Sequence, residues 1–72
     1  MSHLLWSQFT GTRMYRARDG AKIVAVAVRT GIESWSWCLL SGDTTERRAP
    51  TLEAAQERAE NAYAVRRHME AA

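Results

Sequence analysis

The sequence predicts a small α+β domain: an antiparallel β-meander of three or four strands with one C-terminal α-helix packed on one face. Three observations carry this. "RMYRARDGAKIVAVAVR" places β-forming residues on both sides of an Asp19-Gly20 turn signal. "ESWSWCLL" alternates with a period of two, as a half-buried strand does. From Leu52 to about Met69 the chain is rich in Ala, Glu, Gln and Arg, with no Gly or Pro to interrupt a helix.

The elements follow in order. Residues 1–12 are ambiguous, since "LLWSQF" reads equally as a further strand or as a segment folded over the core. Residues 13–49 form the meander. Its second strand runs from about Lys22 to Arg29 and carries Ile23, Val24, Val26 and Val28, whose branched side chains suit a pleated surface. "RTG" and "SGD" supply the next turns. "TTERRA" is a charged fourth strand at an edge, where charge discourages intermolecular pairing, or a loop. The helix occupies 51–70. Thr51 is suited to cap it, and Glu53 sits near the positive end of the helix dipole.

The helix presents Leu52, Ala55, Ala59, Ala62, Tyr63, Arg66 and Met69 on one side, at spacings of three and four. Three of these are alanines, so bulk must come from the sheet. Trp35, Trp37 and Leu39 share a strand face by alternation and provide it. Tyr15, Ala17, Val24, Val26 and Val28 are expected to join them. The opposite face then carries Met14, Arg16, Arg18, Ile23, Ala25, Ala27, Arg29, Ser34, Ser36 and Cys38, small in the middle and basic along one side.

Composition narrows the function. Seventy-two residues make one small domain with a limited core. The lone Cys38 forms no intramolecular disulfide, and His3, Cys38 and His68 lack metal-ligand spacing. The opening "MSHLLWSQF" does not read as a signal peptide, and no apolar run approaches a membrane span. The expected compartment is the reducing cytoplasm. Residues 1–41 hold five basic against two acidic side chains, while residues 42–72 hold five against six, so the positive charge lies in the sheet. No acid–base pair, activated nucleophile or phosphate-cradling glycine series is present. The reading is therefore a non-catalytic binding domain without cofactor, membrane or small-molecule substrate.

Arginines in "RMYRAR" and "VAVRT", aromatics in "SWSW" and the helix "TLEAAQERAENA" resemble, in their order, the arm-type DNA-binding domains of phage integrases. The chain is equally similar to small phage and bacterial α+β proteins of uncharacterised function that end in a "TLEEA"-type helix. The integrase resemblance covers about residues 13–65 and implies a sheet that enters the major groove, braced by the helix. By it, Arg16, Arg18 and Arg29 take the nucleic-acid-facing positions. The apolar second strand "IVAVAV" departs from that pattern. Two partners stay open: nucleic acid on a basic sheet face, and a protein partner or second copy on the same face.

Overall fold

The computed structural model describes residues 4–9, 13–40, 42 and 44–71, with side chains described as far as Met69. Within them lies a five-stranded antiparallel sheet in the order β1-β2-β3-β4-β5, followed by one helix. The strands are β1 (Leu5–Gln8), β2 (Met14–Asp19), β3 (Lys22–Gly31), β4 (Ser34–Leu39) and β5 (Arg47–Ala49); the helix α1 spans Leu52–Ala71. The α+β meander expected from the sequence is the fold. Two strands exceed the three in clear view: the ambiguous N-terminal segment adds β1 at one edge, and "RRA" adds β5 at the other.

Local chemistry explains the joints. Asp19 pairs with Lys22, leaving Gly20 and Ala21 as a two-residue turn in which Gly20 takes φ 66°, a conformation glycine adopts without steric cost. Gly31 pairs with Ser34, so the next turn is Ile32-Glu33, just beyond the expected "RTG". The Thr51 hydroxyl accepts from Ala54 N at 3.1 Å, and Thr51 O accepts from Ala55 N at 3.0 Å. These bonds satisfy donors that a helix start leaves orphaned.

The helix lies over β3, β4 and β5. Ala55 and Ala59 are fully buried in the same core as Ala25 and Ala27, also fully buried. Alanine on both sides lets the two backbones approach closely. Bulk surrounds this contact: Trp37 and Leu39 are buried, and Trp6, Trp35, Leu52 and Tyr63 pack around them. Tyr15 meets Trp35 with ring centroids 5.9 Å apart and planes tilted by 57°, a favourable aromatic geometry. Trp6 donates from Nε1 to Glu60 Oε2 at 3.1 Å, tying the first strand to the helix. Of the tryptophans of "SWSW", Trp37 is a core residue and the half-buried Trp35 packs against the core.

One detail of β3 reverses part of the expected pattern. Ala17 pairs with Ala25, but Arg18 pairs with Ile23, so Val24 is an extra residue with no partner on β2. A β-bulge of this kind shifts side-chain alternation by one beyond it. Val24 and Ala25 are both buried in the core. From there Ala25 and Ala27 face the helix, and Val26 and Val28 do not. The expectation that Val26 and Val28 join the core, and Ala25 and Ala27 the opposite face, is thus corrected. Met69, expected on the packed side of the helix, is 71% exposed. No helix among the described residues is long and apolar enough to cross a membrane.

Candidate interaction face

The helix covers one side of the sheet and leaves the other without a packed element among the described residues. Cross-strand partners share a face, so the register defines what this open side carries. One row runs Leu5, Arg18, Ile23. The next runs Ser7, Arg16, Val26, Cys38. A third runs Met14, Val28, Ser36, Arg48. Phe9 lies two residues beyond Ser7, with its ring under the Arg16 guanidinium at 4.5 Å.

The centre of this face is apolar. Met14, Ile23, Val26, Val28 and Cys38 are each half-buried by their neighbours alone. Leu5 is 71% and Phe9 44% exposed at the β1 edge. Among the described residues the side chains of Arg16, Arg18 and Arg48 form no hydrogen bond or ion pair. Arg16 Nε is buried and unpartnered; its cation is held instead by the Phe9 ring, as cation–π attraction allows. Glu46 supplies negative charge near Cys38. Burial pushes the Cys38 thiol above its ordinary pKa, and the Glu46 carboxylate adds to the rise.

Of the three arginines picked out by sequence, the structure brings two together. Arg16 and Arg18 are alternate residues of β2 and stand on the open face. Arg29 pairs with Trp35 on the helix side, because the Val24 bulge carries it across with Ala25 and Ala27. Its Nε donates to Gly31 O at 3.2 Å. Placing Arg29 beside Arg16 and Arg18 is therefore corrected. Sequence reasoning missed Phe9 and Arg48, which belong to the two segments it left open, the first between a strand and a segment folded over the core and the second between strand and loop. Had those segments been taken as strands, parity would have placed both residues here. No cluster of three His, Cys, Asp or Glu side chains suited to a metal occurs among the described residues.

No family model, curated protein or solved structure matches this chain.

Proposed function

We propose that this is a non-catalytic association domain whose open sheet face packs on a second copy of itself. The observation that carries this is the placement of Val26 and Val28, with Ile23 and Met14, at the centre of that face. Apolar surface rimmed by charge is the composition of protein interfaces. The charge layout favours self-pairing. A two-fold axis along β3 sets β2 of each copy over β4 of the other, so Arg16 meets the Cys38–Glu46 region of its partner. Opposite charges then close the rim while valines meet valines, as an isologous contact requires. We place such a domain in the reducing cytoplasm, where a lone thiol stays reduced.

The test is sedimentation equilibrium over a wide concentration range. The expected result is twice the monomer mass at high concentration, and monomer for Val28→Lys with an unchanged circular dichroism spectrum. Monomer mass for the parent throughout would refute self-association.

A second reading is supported by the guanidinium groups of Arg16, Arg18 and Arg48, which form no hydrogen bond or ion pair among the described residues: binding of nucleic acid, as the likeness to integrase arm-type domains implies. With Arg29 on the other side, three phosphate contacts on this face would come from Arg16, Arg18 and Arg48. Log affinity for duplex DNA would then fall with log salt at a slope near −3, at about −0.9 per contact. Arg16→Ala with Arg18→Ala should flatten the slope by about two.

A further inference from the structure

A second concave surface lies on the helix side, away from the open face. Ala55 and Ala59 bury the first turns of α1 in the core, and further along the helix Val65 is 60% exposed. On the sheet, β4 runs on to Leu39 whereas β5 pairs with it only as far as Trp37 and Arg47. Between α1 and this end of β4 is a groove of about 640 Å³, within the roughly 300–1,000 Å³ of small-molecule sites.

Its walls are chemically uneven. Trp37, Leu39, Ala62, Val65 and Met69 give an apolar channel, and among the described residues its charged lining is Arg47 and Arg66. Trp37 is 6% exposed, and its Nε1, itself buried, has no hydrogen-bond partner among the described residues. A β-carbon at Gly42, where φ is +72°, would overlap the Arg66 guanidinium. Glycine there lets the chain close over Arg66 and keeps that cation beside the groove.

We propose that this groove binds an amphiphilic carboxylate, an apolar chain or ring bearing one anionic head. The apolar body lies against Ala62, Val65 and Met69, where burial of exposed side chains drives binding. The head faces Arg47 and Arg66, because a carboxylate matches the fork of a guanidinium. An acceptor oxygen carried in also meets an indole donor that the fold leaves unsatisfied.

The probe is dodecanoate, below its micellar range, followed by 1H–15N and methyl NMR on the whole chain. Saturable shifts are expected at the Trp37 indole N–H and at the Val65 and Met69 methyls. The expected dissociation constant is on the order of 100 µM, ordinary for about 14 heavy atoms. Dodecanol should bind about tenfold more weakly, the difference that one charge-assisted contact makes. Val65→Glu, at an exposed helix position, should abolish the shifts while leaving the helical circular dichroism intact. Absence of saturation up to about 1 mM, equal affinity for dodecanol, or shifts confined to Val26 and Val28 would overturn the proposal. Wild-type mapping decides the matter even if a variant fails to fold.

Discussion

Arg16 stands opposite Val26 across β2 and β3, on the side of the sheet turned away from the helix. A cation held over Phe9 and a half-buried valine at the sheet centre thus belong to one surface. That pairing exists because the Val24 bulge shifts β3 by one residue. Without it, an alanine would fill the central position, and the face would be small and basic rather than apolar with a charged rim.

The helix–sheet contact is made by alanines, so it is intolerant of bulk. Ala59→Leu, at a fully buried position, should cost about 1–3 kcal/mol by overpacking. Ala64→Leu, at an exposed position of the same helix, should be nearly neutral. Trp37→Ala removes the largest buried side chain of β4 and should cost about 3–5 kcal/mol. Chemical denaturation followed by circular dichroism measures all three. Equal costs at Ala59 and Ala64 would contradict the packing described.

Tyr63 OH donates to Asp19 Oδ2 at 2.5 Å, joining the helix to the β2–β3 turn. Arg67 Nη1 reaches the same oxygen at 3.1 Å, with its own side chain 56% exposed. The part-buried hydroxyl should matter more than the exposed ion pair. Tyr63→Phe is expected to cost about 1.5 kcal/mol, the lower end for a hydrogen bond to a charged acceptor. Arg67→Ala should cost well under about 1 kcal/mol. The same denaturation series distinguishes them, and the reverse order would contradict the assignment.

Cys38 provides a test that depends on pH. Its pKa is raised by burial first and by Glu46 second, so at a given pH less thiolate is present than in an unfolded chain. Iodoacetamide should alkylate it more slowly than a free thiol at pH 8, and the rate should rise only above the ordinary thiol range. Because the fold favours the protonated thiol, its contribution to stability is intact below the unfolded pKa and declines as pH rises above it. Glu46→Gln should move the alkylation profile down in pH. Reaction at the free-thiol rate would contradict the burial of this residue.

Much of this architecture can be read from residues alone. The alternation in "SWSWCLL" placed the tryptophans in the core, and Thr51 with the uninterrupted stretch after it marked the helix start. The faces of β3 were another matter. In "IVAVAV" both alternating sets are apolar, Val24, Val26 and Val28 on one and Ala25 and Ala27 on the other. Hydrophobicity favours sending the larger set inward. The close approach of Ala55 and Ala59 instead requires small residues beneath them, and the bulge at Val24 supplies these without giving up Val24 itself. No turn residue or glycine marks that bulge. Arg29 was misplaced by the same step. Phe9 and Arg48 were hidden differently, in segments too short or too charged to declare themselves as strands.

The association surface is most directly tested by mixing isotopically labelled and unlabelled chains at high concentration and recording isotope-filtered NOEs. Intermolecular contacts are expected between the methyls of Val26 and Val28 and the same face of the partner, with none at Val65 or Met69. Concentration-dependent doubling of mass with NOEs only at the helix groove, or no intermolecular NOE at Val26 and Val28, would contradict a self-pairing open face.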